Sequence, residues 1–98
     1  MAELTWTAEA ERWLRDIYDF IAHDNPEAAA HTVLGIHDKA QLLIRFPESG
    51  YRYLSHQSRH IRILLHGHYR IAYLIKEDGN IDILGVFHGA LDIARYLL

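Results

Sequence analysis

The chain has 98 residues, half of them hydrophobic, with no cysteine and a formal net charge of −3 at pH 7. The missing cysteine excludes disulfides, thiol nucleophiles and thiolate metal ligands, and the acidic balance disfavours a general nucleic-acid-binding protein. No apolar run is long enough to span a membrane, and the first residues lack a signal-peptide pattern. We therefore expect a single cytoplasmic domain over residues 1–98 without a membrane partner.

The first half of the chain predicts a short strand and two helices. Residues 3–6 alternate between polar and apolar, and Thr7 is suited to cap a first helix whose apolar residues recur at helical spacing. Asn25 before Pro26 ends that helix and starts a second one, which runs to about Arg45. Because so short a connection joins them, the two helices are expected to form an antiparallel hairpin.

The second half predicts three antiparallel strands, after a break at residues 46–50 and a stretch over 51–58 that favours a partial strand. Alternating residues favour strands over 60–65, 69–75 and 81–87, joined by polar, glycine-bearing loops at 66–68 and 76–80. Residues 91–98 have room for two helical turns at most. The helical hairpin covering one face of a mostly antiparallel sheet gives a two-layer α+β fold, in the order β-α-α-β-β-β with a short C-terminal helix.

Strict alternation along these strands divides their side chains between two faces. The face expected to pack on the helices holds Ile61, Ile63, Leu65, Tyr69, Ile71, Tyr73, Ile75, Ile81, Ile83 and Phe87. The other face holds His60, Arg62, Leu64, Arg70, Ala72, Leu74, Asp82, Leu84, Val86 and His88. With a three-residue loop at 66–68, Arg70 lies opposite Leu64 and Val86, and His88 is its diagonal neighbour. An arginine on a central strand without an opposed acid is costly to keep, which makes Arg70 a candidate binding residue.

The face away from the helices is expected to stay uncovered. Leu64, Leu74, Leu84 and Val86 then form an exposed apolar patch, of the kind that marks an interaction site. A positive zone adjoins it, because residues 45–76 carry six bases against Glu48 alone. This combination favours a partner that covers the patch and sets acids against the basic zone.

Three other classes of function are weighed against this one. Eight histidines suggest a metal site, but zinc needs three or four converging ligands and no spacing here supplies them. An acid–base enzyme using His88 and Asp92 would have no supporting catalytic motif. A purely structural interaction module would fit the apolar patch alone. We expect no metal and no cofactor.

Four short motifs, in the expected order of elements, resemble the RelE/ParE toxin superfamily, and its ParE branch most closely. They are residues 25–29 (NPEAA), 46–50 (FPESG), 68–73 (HYRIAY) and 86–92 (VFHGALD). The resemblance covers essentially the whole chain. It implies a small bacterial toxin of a type II toxin–antitoxin system, of the plasmid-stabilisation kind. Such a toxin is held inactive in a hetero-oligomer with a cognate, ParD-like antitoxin.

The resemblance leaves two targets open, because ParE-like toxins poison DNA gyrase and RelE-like toxins cleave mRNA on the ribosome. A ribonuclease would use Arg62, Arg70 and His88 as its catalytic groups. Leu64 stands where a second strand base would be implied, and Leu91 stands where the family often has arginine. The incomplete set favours gyrase poisoning without catalytic residues and without sequence-specific nucleic-acid binding by the chain alone. The residues expected to bind the target or the antitoxin are Arg59, Arg62, Leu64, Arg70, Leu74, Leu84, Val86 and His88.

Overall fold

The computed structural model describes residues 2–53 and 60–89. In chain order they form β1 (Leu4–Trp6), α1 (Ala8–Ala22), α2 (Pro26–Arg45), β2 (Tyr51–Arg52), β3 (Ile61–His66), β4 (Tyr69–Ile75) and β5 (Ile81–His88). The α+β prediction is confirmed, since two helices pack on a mostly antiparallel sheet. The C-terminal helix expected over residues 91–98 lies outside the described residues. No helix in the described part is long and apolar enough to cross a membrane.

Both helices begin at the caps that the sequence predicts. The Thr7 hydroxyl accepts a hydrogen bond from the Ala10 amide at 3.1 Å and donates one to the Ile83 carbonyl at 2.7 Å, so this cap also ties α1 to β5. The Asn25 side chain accepts from the Ala28 amide at 3.1 Å at the start of α2. Each cap satisfies a backbone donor that the helix itself leaves unpaired, and is worth about 1 kcal/mol.

The strands of the described part lie in the order β1-β5-β4-β3-β2. The edge strand β1 runs parallel to β5, and the other neighbours are antiparallel. The strand β1 pairs only with residues 81–83 of β5. The chain therefore leaves the sheet after Trp6, and α1 runs alongside the second half of β5.

The connection between β3 and β4 has two residues rather than the three expected from the sequence. Gly67 takes its first position with a φ of +58°, a conformation that glycine adopts at little cost. Arg70 therefore lies opposite Leu65 and not Leu64. A shift of one residue turns every side chain of β3 to the other face, so the face prediction is wrong for this strand.

A β-bulge changes the register of β5 as well. The pairing with β4 skips one residue, Leu84, between Ile83 and Gly85, and an extra residue of this kind reverses the alternation that follows it. Val86 consequently faces the helices, and Phe87 faces the opposite side. The sequence had assigned both residues to the reverse faces.

The core between the helices and the sheet confirms the roles predicted for Ile71, Tyr73 and Ile83, but Ile63 does not belong to it. Its buried residues are Ala10, Ile36, Ala40, Leu43, Leu64, Ile71, Tyr73, Ile81, Ile83 and Val86. Leu64 and Val86, expected on an exposed patch, are thus part of this core.

A second apolar cluster lies on the sheet face that looks away from the helices. Its members Ile61, Ile63, Ala72 and Phe87 are at most 1% exposed. Partly buried hydrophobic residues pack against it, Leu74 and Leu84 from the sheet and also Trp13 from α1, which runs beside β5. The expectation of an uncovered apolar face is therefore wrong for most of this surface.

Candidate functional site

Arg62, a candidate binding residue, holds the turn that follows α2. Its Nη1 donates to the carbonyl oxygens of Gly50 at 2.6 Å and Glu48 at 3.3 Å, and its Nη2 lies 3.3 Å from the Glu48 carboxylate. Its Nε donates to Nε2 of His60 at 3.1 Å. Because these contacts occupy each nitrogen of the guanidinium, the structure gives Arg62 a structural use.

Tyr73 holds the same turn from the core side. Its hydroxyl donates to the Pro47 carbonyl at 2.7 Å and accepts from the Gly50 amide at 2.9 Å. Burial raises the pKa of Tyr73 above its ordinary value of 10.0, so the hydroxyl remains a donor at neutral pH. A Cβ at Gly50 would lie 2.6 Å from the Ile63 carbonyl oxygen, so only glycine allows this approach. We refer to Pro47, Glu48, Gly50, Arg62 and Tyr73 as the turn clamp.

Arg70 lies half-buried on the sheet face that looks away from the helices, opposite Leu65 on β3 and Phe87 on β5. Its Nη2 donates to the Gly89 carbonyl at 2.8 Å. Since Gly89 directly follows β5, this bond fixes the chain where it leaves the sheet. The guanidinium is thus held in one place, between the exposed Leu65 and the buried Phe87.

His88 is exposed at the end of β5, where it pairs across the strands with Tyr69. Its ring centroid lies 6.0 Å from that of Tyr69 and 6.3 Å from that of His68. The expected diagonal contact with Arg70 is wrong, because the two-residue turn and the β-bulge place Arg70 and His88 on opposite faces.

The remaining predicted site residues are also dispersed. Leu64 and Val86 belong to the helix-facing core, whereas Leu74 and Leu84 pack at the border of the second cluster. Arg59 lies outside the described residues. The structure therefore does not bring the predicted set together, and the three residues expected of a ribonuclease, Arg62, Arg70 and His88, point to separate places.

A groove of about 510 Å³ lies instead between α1 and the ends of β4 and β5. Its lining residues are Trp13, Asp16, Ile17, Phe20, Ile21, Tyr69, Val86 and His88. Phe20 at its rim is 77% exposed. A large aromatic side chain so exposed beside an apolar groove is typical of a surface that a partner covers.

The sequence does not predict most of this groove, because apolar residues at helical spacing, as in α1, are typical of core packing. Trp13, Ile17 and Ile21 do have core spacing, and Trp13 packs edge-on against Phe87 with ring centroids 4.7 Å apart. However, the sheet beside this part of α1 supplies only Tyr69, Val86 and His88 to the groove. The available signal was Phe20, an aromatic residue that follows Asp19 on the polar side of the stripe.

The groove has an apolar floor, with Asp16 on the helix wall and His88 on the strand wall. Among the described residues that line it, Asp16 is the one carboxylate. Across residues 2–53 and 60–89, no three histidine, aspartate or glutamate side chains come close enough together to hold a metal ion. The groove is therefore suited to an apolar segment carrying a positive charge, because a cation can pair with Asp16.

Comparisons with known proteins agree with this fold. The family profile described as "ParE toxin of type II toxin-antitoxin system, parDE" matches residues 4–93. The chromosomal ParDE system from P. aeruginosa has a TM-score of 0.71 at 24% identity, covering 90% of this chain and 96% of that one. The RelBE2 toxin–antitoxin complex from Mycobacterium tuberculosis has a TM-score of 0.62 at 22% identity, covering 89% and 96%. Both structures share the fold. No curated protein matches significantly.

Proposed function

This chain belongs to the ParE toxin family of type II toxin–antitoxin systems, and we propose that it poisons DNA gyrase in the bacterial cytoplasm until a cognate antitoxin neutralises it. The separation of Arg62, Arg70 and His88 carries the choice of gyrase over RNA cleavage. The similarity to the ParDE structure supports the same choice.

RNA cleavage requires an acid, a base and a phosphate-binding cation around one phosphate, each within about 2.6–3.2 Å of the atom it serves. Arg62 is engaged in the turn clamp, and Arg70 and His88 lie on opposite faces of the sheet. Arg62, Arg70 and His88 therefore do not surround one phosphate in this way. A gyrase poison needs only a surface of suitable shape and charge, for which a few well-placed residues suffice.

We assign gyrase contact to the sheet face around Arg70. The guanidinium is anchored by the Gly89 carbonyl, and the neighbouring Leu65 is 56% exposed. An arginine beside exposed apolar surface is a common composition for the centre of a protein interface. Leu74 and Leu84 border this surface and remain candidate contacts.

We assign the antitoxin to the groove along α1, in place of the sheet face expected from the sequence. An amphipathic helix can lay its apolar side chains between Phe20 and Tyr69, as helix-in-groove recognition does. The antitoxin segment should carry a lysine or arginine at the level of Asp16, because a carboxylate on the groove wall favours a cation there.

The target is tested with chain made by cell-free synthesis, which avoids toxicity to an expression host. With purified gyrase and supercoiled DNA, we expect gyrase–DNA cleavage complexes to accumulate, and Arg70→Ala to weaken this effect. Arg15→Ala, on exposed α1 surface, is the matched control and should have no effect. Codon-phased mRNA cleavage on ribosomes that Arg70→Ala abolishes, with gyrase unaffected, would contradict the proposal.

The antitoxin site is tested with the product of the small open reading frame expected beside the gene. Phe20→Asp should weaken its binding at least about thirtyfold, as expected for a central contact worth about 2 kcal/mol. Leu65→Asp is the matched control, because Leu65 is also an exposed hydrophobic residue but lies on the other sheet face. If α1 gained no hydrogen-exchange protection in the complex, the antitoxin would have to bind elsewhere.

A further inference from the structure

The solvent-facing side of α2 carries a second apolar surface, separate from the groove. Leu34 is 61% exposed, Leu42 is 44% exposed, and Phe46, directly after the helix, is 60% exposed. The opposite side of α2 is buried in the core through Ile36 and Leu43, among other residues. These three large side chains are therefore not needed for packing the helix onto the sheet.

Two opposite charges lie within this surface. Asp38 and Arg45 are exposed, and a spacing of seven residues places them on the same side of α2, two turns apart. Neither makes an ion pair within the part of the chain that the structure describes. Leu34 precedes Asp38 by one turn and Leu42 follows it by one turn, so apolar residues stand on both sides of the acid. We refer to Leu34, Asp38, Leu42, Arg45 and Phe46 as the α2 face.

An acid and a base placed two turns apart on one helix face are complementary to a second copy of the same face running in the opposite direction. We propose that the α2 face binds a second copy of this chain, with the two α2 helices antiparallel about a twofold axis between Gln41 and Leu42. At 1.5 Å of rise per residue, Asp38 and Arg45 then lie about 5 Å on either side of the axis. Each Asp38 is therefore level with the partner's Arg45.

The apolar residues fit the same axis. Leu42 lies beside the axis and meets the partner's Leu42, whereas Leu34 lies about 11 Å and Phe46 about 7 Å from the axis, on opposite sides. The twofold rotation consequently brings Leu34 to the same end of the interface as the partner's Phe46. Each ion pair thus has apolar contact on both sides. A parallel arrangement in register would instead place Asp38 against the partner's Asp38, which like charges disfavour.

The contact area sets the strength of this association. A single pair of helices falls short of the 1,200–2,000 Å² or so that stable interfaces bury, so the dimer is weak and reversible. The α2 face shares no residue with the groove along α1. The inference is therefore independent of the proposed function, and an antitoxin in the groove leaves the α2 face accessible.

Sedimentation velocity of the purified chain, from about 1 µM to about 1 mM, tests this interface at the affinities expected of a weak dimer. We expect a concentration-dependent dimer. Leu42→Asp should weaken it at least about tenfold, because a carboxylate beside the axis faces its own copy. Leu65→Asp, at a leucine of similar exposure on the sheet and outside the α2 face, is the matched control and should leave the monomer–dimer equilibrium unchanged.

Charge reversal gives the decisive comparison. Asp38→Arg alone and Arg45→Asp alone should each weaken the dimer about tenfold, because each sets like charges against one another. The double variant, with both changes in one chain, should restore the dimer to within about threefold. A misfolded chain would not regain the dimer, so restoration by the double variant shows that the charges act directly. The melting temperature shows whether each single variant is folded. A wild-type chain that stays monomeric throughout, or a dimer that neither single variant weakens, would overturn the proposal.

Discussion

Replacing Tyr73 by phenylalanine removes one oxygen atom from the turn clamp and leaves the buried ring in place. The Pro47 carbonyl loses its 2.7 Å hydrogen bond, and the Gly50 amide loses its 2.9 Å acceptor. Tyr73 and Gly50 are both buried, so water does not readily replace the missing oxygen. The first bond is worth about 1 kcal/mol and the stranded donor costs about 1–3 kcal/mol, so the free energy of unfolding should fall by roughly 2–4 kcal/mol.

Urea unfolding followed by circular dichroism measures this loss, with an unchanged m-value as the sign that only stability has moved. Tyr18→Phe is the matched control, since Tyr18 is exposed on α1, and its effect should stay within about 0.5 kcal/mol. A loss for Tyr73→Phe no greater than that of the control would contradict the two hydrogen bonds assigned to the hydroxyl. It would mean that the hydroxyl does not hold the turn in solution.

The same hydroxyl predicts how stability depends on alkaline pH. Burial raises the pKa of Tyr73 in the folded chain above 10.0, so the unfolded chain loses this proton first as the pH rises. The stabilisation is therefore fully present below pH 10 or so, and is lost as the pH rises toward the folded pKa. Tyr73→Phe should remove this part of the alkaline slope, and an unchanged slope would contradict the assignment.

Three further substitutions test the packing, each measured by urea unfolding. Ile71→Ala should cost about 2–5 kcal/mol because it opens a cavity in the core, whereas Leu65→Ala, at an exposed site, should cost well under 1 kcal/mol. Equal costs would mean that the face assignment is inverted. Gly50→Ala should cost about 1–3 kcal/mol, since its Cβ would press on the Ile63 carbonyl. Gly67→Ala should cost about 1 kcal/mol, because alanine resists a φ of +58°. No loss at either glycine would argue against the corresponding turn.

The helices and the order of elements could be read from the sequence because their signals are local. Thr7 and Asn25 cap within three residues of themselves, and the apolar spacing of each helix depends only on that helix. The register of the sheet could not be read in this way. It depends on whether the turn at Gly67 has two residues or three, and the sequence at 66–68 is compatible with both lengths. One residue of difference moved Leu64 into the core and turned Arg62 toward the turn clamp.

The β-bulge at Leu84 left no comparable trace in the sequence. It reverses the alternation of β5, and it separates Arg70 from His88, which strict alternation had placed together. The groove was missed for a related reason. Apolar residues at helical spacing on α1 indicate core packing only if the sheet extends beneath the whole helix. The edge strand β1 has three residues, so the sheet is narrower beside the rest of α1.

The observed register also changes the functional interpretation of Leu64, which stands where the family resemblance implies a second strand base. On β3 it lies opposite Ile71 and is buried against the helices, where a lysine or arginine would bring an unpaired charge into the core at a cost of several kcal/mol. The leucine is therefore required by packing. On the opposite face, the described neighbours of Arg70 are Leu65 and Phe87 across the strands. One arginine among apolar residues offers little to a chain of phosphates, whose binding grows with the number of cations. An arginine in such a setting is a typical anchor in a protein interface, which is in line with the protein target that we propose.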